Sequence, residues 1–210
     1  MTEPIKKYLL WFLVLVYVCD TFGFAFKPDF FRPFTPLTLL LTSFVFLIHQ
    51  PLKNTNYLLV FFMLALVGFS AEVVGVKTGW IFGEYVYGNV LGLKVMQVPL
   101  LISLNWALLI AAGVLLSTYV SKKRVFGSFI AAGIITGIDF LMEQVCGTMD
   151  FWYFKQGLAG IHNYLAWFVI SFFCSFFFFK TLSRGNKPVA FLIISLQFFF
   201  FGITYLMNLF

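Results

Sequence analysis

Seven apolar runs, each near the length that crosses a bilayer, constrain this chain more than any other feature. They are Tyr8–Phe26, Thr35–His49, Tyr57–Gly75, Val98–Val120, Phe126–Cys146, Tyr164–Thr181 and Val189–Met207. A membrane-spanning helix needs about 20 mostly apolar residues, and the second run is the shortest of the set. The breaks between runs carry Pro28, Pro33 and Pro36, then Pro51 and Asn54, then Asn186 and Pro188. Alternation of apolar and polar residues never persists long enough for a membrane barrel. The expected fold is therefore all-α, a polytopic transmembrane helical bundle of about seven spans. Residues 1–210 read as a single integral membrane domain.

Composition agrees with this class and excludes others. The chain is 61% hydrophobic and only 10% charged, with a mean hydropathy of +0.97. A soluble domain carries about 25% charged residues. An ordinary soluble enzyme, a nucleic-acid module and a disordered chain are excluded on that ground. The net charge of +6 suggests no nucleic-acid partner, because the longest basic run, Lys122-Lys123-Arg124, is too short to track phosphates. Lys6-Lys7 ahead of the first apolar run resembles a signal peptide, but no small-residue cleavage site follows, so a retained helix is expected. Cys19, Cys146 and Cys174 are scattered, which points to neither a disulfide frame nor a zinc site.

Basic residues orient the bundle. With seven spans, Lys6, Lys7, Lys53, Lys122, Lys123, Arg124, Lys180, Arg184 and Lys187 share one side. Lys27, Arg32, Lys77, Lys94 and Lys155 share the other. Positive charge accumulates on the cytoplasmic side, so the N-terminus is expected there and the C-terminus outside. Residues 76–97, VKTGWIFGEYVYGNVLGLKVMQ, are too polar to span and too apolar to be a free loop. They read as a Gly- and aromatic-rich lid or re-entrant segment between the third and fourth spans, packed on the helix ends.

Ionisable residues inside spans are functional candidates by default. Asp20, Glu72, Asp139 and Glu143 each lie late in an odd-numbered span, so all four are expected in the outer half at similar depth. Asp139 and Glu143 are four apart, hence on one helical face. Two carboxyls that close in a low dielectric do not both ionise readily, and a retained proton suits a general acid. The competing reading pairs them with backbone or with Lys77, Lys94 or Lys155, and pairs Asp20 with Lys27 or Arg32. Tyr85 and Tyr87 from the lid, Asn105 and Trp106, and Trp152, His162, Asn163 and Trp167 are expected in the same layer, against an interfacial aromatic belt as the alternative. Gly133 and Gly137 form a GxxxG pair expected to admit a neighbouring helix closely, and Gly68 and Gly75 flank Glu72 similarly.

Nucleotide and flavin loops, clustered histidines and a GxSxG elbow are missing from the sequence. Carboxylates, Tyr, Trp, Asn and aromatic walls remain, a set suited to proton transfer onto an apolar substrate or to proton-coupled transport. The spacing Glu72-x-x-Gly75-x-x-Thr78-Gly79-x-x-Phe82-Gly83-x-Tyr85-x-Tyr87, followed by Gly92, Pro99 and Trp106, resembles the membrane carotenoid biosynthesis proteins. That family includes carotenoid 1,2-hydratases acting on γ-carotene- or bacterioruberin-type precursors. Asp139-x-x-x-Glu143, Trp152 and Asn163-x-x-x-Trp167 resemble a second block, so the likeness spans about Tyr57 to Trp167. Where the family pattern has a Pro before the Asn, this chain has Gly160-Ile161-His162.

The resemblance implies a bacterial inner-membrane enzyme that hydrates a terminal isoprene C=C without a cofactor, leaving a tertiary alcohol. It implies acid and water-activating roles for Glu72, Asp139 and Glu143. Substrate or water contacts fall to Asp20, Tyr85, Tyr87, Asn105, Trp106, Trp152, His162, Asn163 and Trp167. The implied partners are a carotenoid or isoprenoid substrate, membrane lipid and, transiently, other carotenoid enzymes. Other classes in view are a carotenoid end-group cyclase or isomerase, a proton-coupled transporter and a lipid-binding scaffold.

Overall fold

A computed structural model describes residues 2–52 and 55–209. Lys53 and Asn54, named above among the basic and break positions, lie outside the described residues. Seven helical segments are long and apolar enough to cross a membrane. The first is α1 (Glu3–Phe26). The second is interrupted: a short α2 (Pro28–Phe31) and a 3-10 turn (Arg32–Phe34) precede α3 (Thr35–Ile48). The interruption falls at Pro33 and Pro36, whose rings favour helix starts and resist helix interiors. The remaining spans are α4 (Thr55–Thr78), α5 (Leu100–Val120), α6 (Arg124–Glu143), α7 (Ile161–Leu182) and α8 (Lys187–Asn208). Four short strands complete the fold: β1 (Tyr85–Tyr87), β2 (Lys94–Val95), β3 (Val98–Pro99) and β4 (Trp152–Phe154).

The helix ends have local causes. Gly79, with φ of +69°, follows α4 and donates its N–H to the Gly75 carbonyl at 2.8 Å. That left-handed stop is cheap only for glycine. The Asn186 side chain accepts from the Val189 N–H and caps α8, with Pro188 in its first turn. The fourth run opens as strand at Val98 rather than as helix, and the fifth leaves the helix after Glu143 and passes into turns.

Helix α5 is the centre of the bundle, and every residue from Asn105 to Leu115 is buried. A helix apolar all round is the expected occupant of such a place. The peripheral helices turn rings outward instead: Trp11 and Leu15 on α1, Phe62 and Leu66 on α4, Phe173 and Phe177 on α7. In lipid these faces lose nothing by exposure. On one side of the bundle, the Gln50 side-chain Oε1 accepts from the Asn186 N–H at 2.8 Å. On the other, Arg32 and Asn208 both reach Thr148. The turns after α3 and before α8 thus share one end of the bundle, and residues 27–34, the turns after α6 and the end of α8 share the other.

The segment after α4 is partly sheet. β1 pairs antiparallel with β4, with Tyr85 opposite Phe154, Val86 opposite Tyr153 and Tyr87 opposite Trp152. β2 and β3 make a small hairpin. Strand pairing here is set by tertiary partners 60-odd residues away in sequence, which short runs such as YVY and WYF do not advertise. Asp150, in the left-handed region with φ of +56°, ties the two parts together. It accepts from the Asn89 and Val90 amides and from the Tyr153 hydroxyl. Partial burial pushes its pKa up, but the Tyr153 hydroxyl, those amides and Arg32 outweigh it and leave the carboxyl below its usual range.

The glycine expectation divides. A Cβ on Gly68 would collide with the Trp106 side chain, and one on Gly75 would come within 2.6 Å of the Phe82 ring. Close approach is real at both. At Gly133, however, a Cβ would meet nothing within 4 Å, and at Gly137 only the edge of Phe198 at 3.8 Å. The GxxxG pair therefore mediates no tight helix contact inside the bundle, because that face of α6 turns outward. Gly133→Ala should be neutral or stabilising by up to about 1 kcal/mol from helix propensity. Gly68→Ala should cost about 1–3 kcal/mol by overpacking against Trp106. Thermal unfolding of the two purified variants in detergent checks the contrast.

Candidate active site

Two halves of the chain meet at a buried acid cluster. From α4, Glu72 accepts three hydrogen bonds: from the Tyr85 hydroxyl at 2.5 Å, the Tyr87 hydroxyl at 2.7 Å and the Trp106 indole at 2.9 Å. From the end of α6, Glu143 accepts from the Trp152 indole at 2.8 Å, from the Asn163 amide at 3.2 Å and from the Cys146 thiol at 3.6 Å. The same Asn163 amide donates to Asp139 Oδ2 at 3.1 Å. Asp139 is fully buried, and its other oxygen has no hydrogen-bond partner.

Local structure explains the convergence. β1 alternates, so Tyr85 and Tyr87 face inward together while Val86 faces out. Its pairing with β4 sets Trp152 opposite Tyr87. One register thus delivers two phenols to Glu72 and an indole to Glu143. Asn163 and Trp167 lie one helical turn apart at the start of α7, so the amide and the indole face the same way. Trp167 stacks on Trp106 with ring centres 3.7 Å apart and planes 5° from parallel. Phe82 tilts against both indoles.

The donors are all neutral. Among the described residues the salt bridges join Lys6 to Glu3, Arg32 to Asp29 and Lys155 to Glu84. Lys94 donates to the Tyr87 carbonyl and to Asn89, and Lys77 reaches Met96. The lysine pairing considered for Asp139 and Glu143 does not occur. Asp20 likewise pairs with neither Lys27 nor Arg32; Thr38 donates to it at 2.5 Å. Burial and then the charge of Glu72 push the Tyr85 hydroxyl far above its usual value, and Tyr87 follows for the same two leading reasons. Both phenols therefore remain donors. Burial and then Glu143 push up the Cys146 thiol, which makes it a donor rather than a nucleophile.

Two cavities adjoin. The acid chamber is nearly filled by its own side chains, with a cavity volume of about 10 Å³, and is lined by Glu72, Tyr85, Tyr87, Glu143, Asn163 and Trp167, with Phe82, Phe154, Ile102 and Trp152. The second, with a cavity volume of about 60 Å³ and partly open to the surroundings, is mostly apolar; Asp20, Asn105, Thr38 and Gln197 interrupt its walls. Ile102 and Trp152 line both. Of the residues singled out from the sequence, Glu72, Glu143, Tyr85, Tyr87, Trp152, Asn163 and Trp167 line the acid chamber. Asp139 and Trp106 back it through Asn163 and Trp167. Asp20 and Asn105 belong to the other cavity: Asn105 precedes Trp106 directly, and adjacent helical residues point about 100° apart. His162 is exposed, lines neither cavity and sits beside Gly83 and Gly160.

Sequence reasoning passed over Cys146, Thr38, Asp150 and Gln197. A lone amide in mid-span, as at Gln197, was a readable signal. Thr38 reaches Asp20 from another helix, and Asp150 takes two of its donors from Asn89 and Val90, contacts distant in the chain; Cys146 lies three residues from Glu143, in the turns just past the end of α6. Among the described residues no group of His, Cys, Asp and Glu is arranged to hold a metal ion.

A family model described as carotenoid biosynthesis protein matches residues 34–210. The chain belongs to the carotenoid biosynthesis protein family. No curated protein and no solved structure matches it. Membership gives the acid cluster a context: a multi-pass membrane protein with a role in carotenoid biosynthesis. Every residue of the cluster lies within the matched range, and only Asp20, among the candidates, falls outside it.

Proposed function

We propose that this carotenoid biosynthesis protein hydrates a terminal isoprene C=C of an acyclic carotenoid end to a tertiary alcohol. The observation that supports this most is a set of three buried carboxyl groups whose hydrogen-bond partners are all neutral. Burying an unpaired carboxylate costs many kcal/mol, so three of them without a cation retain at least one proton. Glu72 and Glu143, with three donors each, are matched as carboxylates. Asp139, with one donor and an unpartnered oxygen, is matched as an acid. Asp139 and Glu143 lie on one face of α6 and share the Asn163 amide; Asp139 stores the proton, and Glu143, which lines the chamber, passes it on to the substrate.

The chemistry follows. The proton adds to the less substituted alkene carbon, leaving a cation on the tertiary carbon. The faces of Trp167, Phe82 and Tyr85, with the negative charge of Glu72, stabilise that cation. Water adds to it, and its proton returns to a carboxylate, so the sum is alkene plus water. The cover of β1, β4 and the 79–99 segment keeps bulk water from quenching the acid early. The substrate arrives from membrane lipid or by transient contact with another carotenoid enzyme, in an inner membrane with the N-terminus cytoplasmic.

Expression in a host accumulating the unhydrated precursor, grown in water enriched in heavy oxygen, should yield a more polar pigment carrying the label. A cyclised, unlabelled product would assign the reaction to end-group cyclisation, and unchanged precursor would remove the enzymatic reading.

A further inference from the structure

The larger cavity has a chemistry of its own. Its walls are apolar: Leu39, Leu91, Ile102, Met142 and Phe151 among others. Among the described residues its polar groups are Tyr17, Asp20, Thr35, Thr38, Asn105 and Gln197, with no lysine or arginine. Gln197 is 3% exposed, and its Oε1 has no hydrogen-bond partner; nor does the buried Oγ1 of Thr35. Asp20 engages Thr38 through Oδ2 alone among its described hydrogen bonds. The cavity thus offers one unmatched amide acceptor, Gln197 Oε1, and one unmatched hydroxyl, Thr35 Oγ1, in an apolar shell. Unmatched acceptors favour a ligand that donates. A lining without a cation disfavours phosphate or carboxylate.

We infer that this cavity binds an uncharged isoprenoid chain through a terminal hydroxyl, which donates to Gln197 Oε1 or Asp20 and is positioned by Thr35. The inference rests on the hydration reading and extends it: Trp152 and Ile102 separate this cavity from the acid chamber, so an alcohol formed at the shared wall has a polar seat on its far side. It also makes Gln197, a residue of α8, a specificity determinant for hydroxylated against bare chain ends.

The test is a binding assay that needs no turnover. The full chain in lipid nanodiscs is labelled with a photoreactive fifteen-carbon isoprenoid alcohol. The unmodified alcohol, the matching hydrocarbon and the matching phosphate monoester then compete. The alcohol should compete about tenfold better than either, consistent with one or two net hydrogen bonds, and the label should map to residues lining this cavity. Gln197→Leu and Thr35→Val should each reduce the preference to about threefold or less while hydrocarbon competition persists, which reports an intact fold. Equal competition by alcohol and hydrocarbon in the unaltered protein, stronger competition by the phosphate, or labelling elsewhere overturns the proposal. So does a full preference retained in both variants. Failure here leaves the heavy-oxygen result untouched, and an unlabelled pigment there leaves this assay readable.

Discussion

Asp139→Asn is expected to lower tertiary-alcohol formation at least 100-fold while leaving the protein as stable as the parent. General acids contribute about 10²–10⁴ in rate, and the amide cannot hold the proton. The substitution is otherwise close to silent, because asparagine has the shape of a protonated aspartic acid and its single described donor, Asn163, lies on Oδ2. Glu72→Gln and Glu143→Gln should also abolish product, but with a different signature. At Glu72 the variant's NH₂ can turn to the two phenol oxygens, which also accept, while its carbonyl stays on the Trp106 indole; at Glu143 the NH₂ must face the Trp152 indole or the Asn163 amide, both donors. That should cost about 1–3 kcal/mol per buried mismatch. Pigment chromatography and thermal unfolding, run on the same three variants, separate a proton store from a structural acceptor. A stable, fully active Asp139→Asn protein would remove Asp139 from the reaction. Full activity in all three would remove the cluster.

Trp106→Ala should be the most destabilising single change in the bundle. Trp106 is completely buried; it packs over Gly68, stacks on Trp167 and donates to Glu72. Truncating a buried Trp costs about 3–5 kcal/mol, and here a carboxyl oxygen also loses its donor. Against a total stability of about 5–15 kcal/mol, a large fraction of the chain should fail to fold. Trp106→Phe keeps part of the stack and loses the N–H and one ring of the indole, so its cost should be smaller than that of alanine but at least about 1–3 kcal/mol. Size-exclusion profiles and unfolding midpoints in detergent check both. A Trp106→Ala protein with the parent's midpoint would show that the indole pair is not a structural keystone.

The sequence by itself determined the class, the number of spans and which charges are buried. Those follow from one-dimensional quantities: apolar run length against bilayer thickness, and the cost of placing a carboxyl among them. It also determined that Asp139 and Glu143 share a face, since helical spacing is local, and its motif spacing pointed to the family. Tertiary structure alone decided which donors meet which acid. Glu72 meets Tyr85 and Tyr87, and Glu143 meets Trp152, because β1 and β4 pair in one register, and two three-residue strands carry too little pattern to announce a partner 67 residues away. Tertiary structure likewise sent Asn105 and Asp20 to a separate cavity, left His162 outside and turned Gly133 away from the bundle. Depth in the membrane can be counted along a helix; the direction in which a side chain points across the bundle depends on how neighbouring helices are rotated, and that is set only when they pack.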